Sequence, residues 1–232
     1  VGEYIADAIG DLLGGSFLDF EIIVSDDHSK DNTVDEVKRI AKKHKEVTLI
    51  SSKENKGPSS ARNAGLKRAK GEYVLFLDSD DRYDLRLLEK VYKKLKEEPA
   101  DVVVYGLYEE YLKGGEISSV TVHVPKKAKA DNRNKILKLA LSLEKETLYG
   151  YPWNKAYKKS LIEEEGIRFK KVSHVEDILF NIDVFDKAKS VVTIDEPLYR
   201  YMNRIGVETR LTTGYVDDYF KSQMLRVKTL YT

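Results

Sequence analysis

Tyr73-Val74-Leu75-Phe76-Leu77 runs straight into Asp78-Ser79-Asp80-Asp81. The apolar run reads as a buried strand, and three carboxylates within four residues at its end are costly to hold together. Like charges that close repel, and burial penalises each of them. A divalent cation would relieve that cost, and oxygen-only ligands suit Mg²⁺ or Mn²⁺, ions that commonly bind together with phosphates. The stretch therefore predicts a metal–diphosphate site at the carboxyl end of a strand. The competing reading is a helix N-terminus furnished with acids ahead of Leu87.

Working outward, the same architecture repeats. Ile5, Ile9, Leu12 and Leu13 share one helical face ended by Gly14-Gly15, and Phe20 to Ser25 is a second short apolar run. The segment from Asp26 to Thr33 is dense in Asp, Ser and Asn and reads as a loop. Val37, Ile40 and Ala41 mark a helix, Val47 to Ser51 a strand, and Ser60 to Lys70 a helix stopped by Gly71. Leu87, Leu88, Val91, Tyr92 and Leu95 space out as an amphipathic helix before the strand Val102 to Tyr105. Helices alternating with continuous apolar strands predict an α/β fold, a Rossmann-like, mostly parallel central sheet with helices on both faces. Ligands of such sheets sit at the carboxyl ends of the strands. Asp26-Asp27 and the Asp78 to Asp81 cluster both lie there.

The second half changes character. Val120, Val122 and Val124 alternate like a half-exposed strand, residues 133–145 carry a helical apolar stripe, and 125–134 is expected to be a mobile loop. A short helix closes at Gly166, an apolar helix covers Ile178 to Phe185, Val191 to Ile194 is a strand, and residues 215–228 read as a final amphipathic helix. The expected organisation is a donor-binding half over 1–105, an acceptor and catalytic half of the same domain over 106–205, and a helical segment over 206–232.

With 232 residues, 41% hydrophobic and 34% charged, the chain has enough apolar content for a substantial core. A formal charge of +1 gives no global field to attract nucleic acid. The lysine clusters at Lys38 to Lys45 and Lys126 to Lys138 are solvated helix faces or a weak attraction to an anionic membrane surface. The lack of cysteine rules out disulfides and thiolate zinc sites and fits a reducing, cytoplasmic setting.

Several motifs, in order, resemble family 2 glycosyltransferases of the GT-A fold. Phe20-Glu21-Ile22-Ile23-Val24-Ser25-Asp26-Asp27-His28-Ser29-Lys30-Asp31-Asn32-Thr33 is similar to the family's opening signature. Asn55-Lys56-Gly57 and Ser60-Ala61-Arg62-Asn63-Ala64-Gly65 resemble the next block, and Gly71-Glu72-Tyr73 through Asp81 resembles the strand carrying the DxD motif. Tyr151-Pro152-Trp153-Asn154-Lys155 and Gly166-Ile167-Arg168-Phe169 resemble the acceptor half, and His174-Val175-Glu176-Asp177-Ile178-Leu179-Phe180 the block with the catalytic base. The similarity spans roughly residues 3–201, and five weak motifs in family order are together specific. The chain departs from the pattern in minor ways at Gly14-Gly15-Ser16 and Ser25, and in one larger way. The family's first apolar strand has no counterpart here, and an upstream segment is expected to supply it.

The resemblance implies an inverting transfer of a sugar from a nucleotide-diphosphate sugar, UDP-linked, to a hydroxyl of a glycan or lipid-linked acceptor. It would serve polysaccharide synthesis at the inner face of the cell membrane, with peripheral membrane association and Mn²⁺ or Mg²⁺ as cofactor. The alternative is a non-catalytic nucleotide-sugar-binding module. Asp80 and Asp81 are then the metal ligands, and Asp27, Arg62, Asp78 and Asp80 bind the nucleotide. Asp27 would meet the nucleobase, or else serve an Asx-turn; Arg62 would meet base or phosphate, or else lie on a helix surface. Asp177 is the expected base, with Glu176 beside it turned to the acceptor, against the alternative of two acids at a helix N-terminus. Trp153 is expected as an acceptor platform or a core aromatic, and Lys155 as a contact to a charged acceptor or an exposed cation. Arg200, Arg204 and Arg210 are candidates for a diphosphate contact, and His174 for a supporting role.

Overall fold

The computed structural model describes residues 2–172 and 175–204. His174, Arg210 and the helix expected over 215–228 lie outside the described residues. Helix α1 (Ile5–Leu13) buries Ile5, Ala8, Ile9 and Leu12 on one stripe. Strand β1 (Ile22–Asp26), helix α2 (Thr33–Ala41) and strand β2 (Val47–Ser51) follow, and β1 pairs with β2 in parallel. Helix α3 (Pro58–Arg68) begins at Gly57, whose φ of 88° suits glycine, with Pro58 at the first helical position.

Strand β3 (Tyr73–Leu75) leads through the acidic loop to the short β4 (Arg82–Tyr83) and to α4 (Leu87–Glu97). Strand β5 (Val102–Lys113) and β6 (Glu116–His123) form a hairpin, followed by β7 (Lys129–Ala130) and α5 (Arg133–Lys145). Asn132 caps α5 by accepting from the Lys135 amide. The chain then forms β8 (Lys155–Lys158), α6 (Lys159–Glu164), α7 (Glu176–Lys187) and β9 (Val191–Arg204).

The second sheet has seven strands in the order β3-β8-β5-β9-β4, with β6 added to β5 and β7 to β9. The α/β class holds, but the parallel pairing expected from helix–strand alternation is confined to β1–β2 and β5–β9. Strands β8, β4, β6 and β7 all run antiparallel to their partners. Beyond residue 105 the hairpin and short connections replace helical crossovers, and only crossovers enforce parallel neighbours. The segment 125–134 is no loose loop: β7 pairs with β9, and the Ala128 amide donates to Thr193 Oγ1.

One apolar cluster runs from Ala8 and Leu12 through Val102 to Tyr105 and on to Phe180 and Tyr199. A cavity of about 660 Å³ opens between β1 and β3, walled by side chains of α1, α3 and α4. Each of the two strands has one edge toward it without a strand partner among the described residues. Asp27, Arg62, Asp78 and Ser79 line the cavity beyond the carboxyl ends of β1 and β3.

Candidate active site

The acidic loop leaves β3 with its backbone already engaged. The Asp78 amide donates to the Tyr199 hydroxyl at 3.3 Å, and the Tyr83 hydroxyl donates to the Asp78 carbonyl. Asp81 is only 2% exposed. Its two carboxylate oxygens accept from the Tyr199 hydroxyl at 2.6 Å and from the Met202 amide at 2.8 Å, both on β9. Burial pushes its pKa up to about 7 against those two hydrogen bonds. Both oxygens of Asp81, expected as a metal ligand, face inward in this arrangement and tie the loop to β9.

Asp80 is the outward member, with its side chain 53% exposed. Arg204 at the end of β9 donates to the Asp80 carbonyl at 2.5 Å and lies 3.6 Å from its carboxylate. The Arg204 guanidinium also packs 4.0 Å from the centre of the Tyr4 ring. Arg200 points elsewhere, to the buried Glu110 at 2.7 Å. Among the described residues no group of three or more His, Cys, Asp or Glu side chains is arranged to hold a metal. The donor set fits Mg²⁺ or Mn²⁺ only in the manner of a cation held by one or two carboxylates together with phosphate oxygens. Asp80, with Asp78 beside it, offers that chemistry.

Arg62, projecting from α3, is the hub. Its Nη1 donates to Asp177 Oδ1 at 2.6 Å and to Glu176 Oε1 at 3.2 Å, and its Nη2 donates to Asp78 Oδ1 at 3.1 Å. Burial works against its charge, but Asp177, Asp78 and Glu176 outweigh that and hold the guanidinium above its ordinary pKa. Asp78 is pushed up by burial, with Arg62 opposing. Asp177 is pushed up to about 7, first by burial; Arg62 pulls it down while Glu176 and Asp78 raise it further.

Glu176 and Asp177 reach Arg62 because they open α7. Val175 just before them has φ 60° and ψ 20°, a left-handed conformation that a β-branched residue rarely adopts. That turn delivers both acids from the first helical turn to one guanidinium. The arrangement is an acid–base constellation: a half-buried carboxyl titrating near neutrality, linked through one arginine to the acidic loop.

Asp27 accepts from the Lys56 amide at 2.9 Å and the Gly57 amide at 2.6 Å, so it organises the turn that launches α3. Trp153 and Lys155, expected near the acceptor, both lie in the interior, Trp153 in the place of the core aromatic that was its other reading. Trp153 is 3% exposed, stacked at 4.2 Å on Tyr199 and at 4.4 Å on Tyr151. Lys155 is fully buried, and its Nζ donates to the carbonyls of Leu148 and Tyr151 and to Asn154 Oδ1. Burial holds its pKa well below the ordinary lysine value. What reaches the surface of this stack is Tyr151, 38% exposed.

Two residues outside the predicted site matter here: Tyr199, which anchors the acidic loop, and Asn63 of α3. The Asn63 side-chain amide pairs with both backbone groups of Phe169, at 2.8 and 3.0 Å, joining α3 to the segment between α6 and α7. The recurrence of Tyr and Arg through Tyr199-Arg200-Tyr201 was the available signal for the first.

The family model described as Glycosyl transferase family 2 matches residues 2–166. The chain belongs to that family. Poly(ribitol-phosphate) beta-N-acetylglucosaminyltransferase TarP of Staphylococcus aureus is 37% identical over 175 residues, covering 74% of this chain and 50% of that protein. Cholesterol galactosyltransferase of Borreliella burgdorferi is 29% identical over 202 residues, covering 85% of this chain and 56% of that protein. Among solved structures, S. aureus TarS 1-349 in complex with UDP-GlcNAc superposes with a TM-score of 0.76 at 23% identity, over 98% of this chain and 62% of that one. A Pyrobaculum calidifontis mannosyltransferase in complex with GDP-Man and Mn²⁺ gives 0.59 at 17% identity, over 99% and 59%. These likenesses establish the GT-A fold for this family 2 chain. The chain spans about half the length of the curated relatives it matches. No described helix is long and apolar enough to cross a membrane.

Proposed function

We propose that this chain is the donor-binding and catalytic part of an inverting glycosyltransferase that uses a nucleotide-diphosphate sugar, UDP-linked, and a hydroxyl of a glycan or lipid-linked acceptor. The observation that carries the reading is the contact of the Asp177 carboxyl with Arg62 at 2.6 Å, and through Arg62 with Asp78 of the acidic loop, in a setting where burial pushes Asp177 up to about 7. A base poised near the working pH takes up a proton most effectively. As the acceptor oxygen bonds to the anomeric carbon, its proton passes to Asp177, and the bond from that carbon to the diphosphate oxygen breaks. Attack from the face opposite the leaving group inverts the configuration.

Asp80 would hold the divalent cation, and a bound cation neutralises the charge developing on the departing diphosphate. Asp78, beside the cavity, is suited to the ribose. Asp27 keeps the α3 turn in shape for the nucleobase, and Glu176, one residue from the base, is suited to the acceptor. The donor chemistry of TarS, which binds UDP-GlcNAc, and the polymer chemistry in the name of TarP support a UDP-sugar and a polysaccharide acceptor. This reading puts the reaction on the cytoplasmic side, with peripheral contact to the membrane where the acceptor is lipid-linked.

The test is release of UDP from a panel of UDP-sugars with Mn²⁺ or Mg²⁺, alongside calorimetric titration of UDP with and without the metal. Metal-dependent binding with turnover supports the enzyme. Binding without any turnover across the panel and a set of glycan acceptors would favour a non-catalytic nucleotide-sugar-binding module.

A further inference from the structure

We propose that Arg62 is the positioning residue for the base, locking the Asp177 carboxylate to the donor side of the site. The inference rests on the reading of Asp177 as base. Arg62 has a planar fork, and the structure uses both prongs: one on the two acids opening α7, the other on Asp78. A lysine ammonium cannot reproduce that two-sided geometry.

The guanidinium is itself held. It lies 5.4 Å from the Phe169 ring centre, and Phe169 stacks at 4.0 Å on Phe180 of α7 and meets Phe76 edge-on at 4.9 Å. The neighbouring side chains of α3 fix the helix against the same segment: Asn63 pairs with the Phe169 backbone, and Ser59 Oγ donates to the Lys170 carbonyl. Only 17% of the Arg62 side chain is exposed, so its position follows from packing on both sides.

Among the described residues, the charged and titratable groups facing Asp177 are Arg62 of α3, Asp78 after β3, Glu176 of α7, and Lys155 and Tyr157 of β8. Lys155 is directed to three neutral oxygens, and the Tyr157 hydroxyl donates to Asn181. Arg62 is thus the cation in direct contact with Asp177 among the described residues. Without it, three carboxylates would share the site with no cation touching Asp177, and Asp177 would keep its proton at the pH where it has to accept one.

The experiment uses Arg62→Gln to remove the charge and Arg62→Lys to keep the charge but lose the fork. In substrate-free protein, the Asp177 carboxyl is followed by ¹³C NMR across pH, its resonance identified by its loss in Asp177→Asn. The expected result for Arg62→Gln is a titration midpoint raised by about one to three pH units, with the acid limb of UDP release moving equally. Arg62→Lys should keep the midpoint near that of the wild type, yet lose about tenfold or more in turnover at every pH. An unchanged midpoint in a folded Arg62→Gln, or full turnover in Arg62→Lys, would overturn the proposal. If Arg62→Gln does not fold, the Arg62→Lys rate decides. Failure of the base assignment would show separately, as persistent UDP release by Asp177→Asn.

Discussion

Tyr199→Phe tests whether Asp81 serves the fold or the ligand. The ring is fully buried and stacked on Trp153, so phenylalanine keeps the packing and removes one hydroxyl. That hydroxyl donates to Asp81 at 2.6 Å and accepts from the Asp78 amide at 3.3 Å. At pH 5 Asp81 is protonated, and losing a hydrogen bond to a neutral group costs about 1 kcal/mol; at pH 8 the bond is to a carboxylate, and the loss is about 2 kcal/mol or more. For a domain of this size those figures correspond to falls in Tm of about 2–4 °C and 4–8 °C.

The pH direction follows from linkage. The folded-state pKa of Asp81 is raised from 3.8 to about 7, so its contribution to stability is fully present below the unfolded value and is lost as pH rises through about 7. The Tyr199 hydroxyl opposes that rise. Removing it carries the folded pKa higher still, and the gap between variant and wild type should widen from pH 5 to pH 8. Thermal unfolding followed by circular dichroism at both pH values, with and without Mn²⁺, reads this directly. A gap that narrows with pH, or that appears only with Mn²⁺, would refute the structural role of Asp81.

Asn63→Ala severs both hydrogen bonds to the Phe169 backbone and should cost about 2 kcal/mol, read as a fall in Tm of about 4–8 °C. Asp80→Ala should abolish the difference in UDP affinity between Mn²⁺ and EDTA in calorimetry while leaving the metal-free affinity in place. Turnover of the wild type should climb as pH passes through about 7, the value to which Asp177 is raised, and fall about tenfold per unit below it.

The elements with strong local signals were legible in the sequence. The apolar stripe of α5 gave its span, and the acidic loop was placed at the end of β3 by the apolar run before it. Strands β5 and β9 extend eight and ten residues past the expected ends at Tyr105 and Ile194, because their outer halves carry polar residues and are held by pairing with each other. The site was legible as a set of acids, not as a division of labour. Asp78, Asp80 and Asp81 look alike along the chain; only β9, more than a hundred residues on, turns Asp81 inward and leaves Asp80 in solvent. Lys155 reads as a surface lysine until the carbonyls of Leu148 and Tyr151 fold over it. Arg62 reads as a helix residue with one ligand, whereas its three acids come from both halves of the chain.

The central claim is that Asp177 takes the acceptor proton, and it is tested most directly by Asp177→Asn with the preferred UDP-sugar. The account predicts donor affinity close to that of the wild type and UDP release lowered by about 10²-fold or more, the ordinary contribution of a general base. Release by Asp177→Asn within about twofold of the wild type, at equal donor affinity, would contradict it.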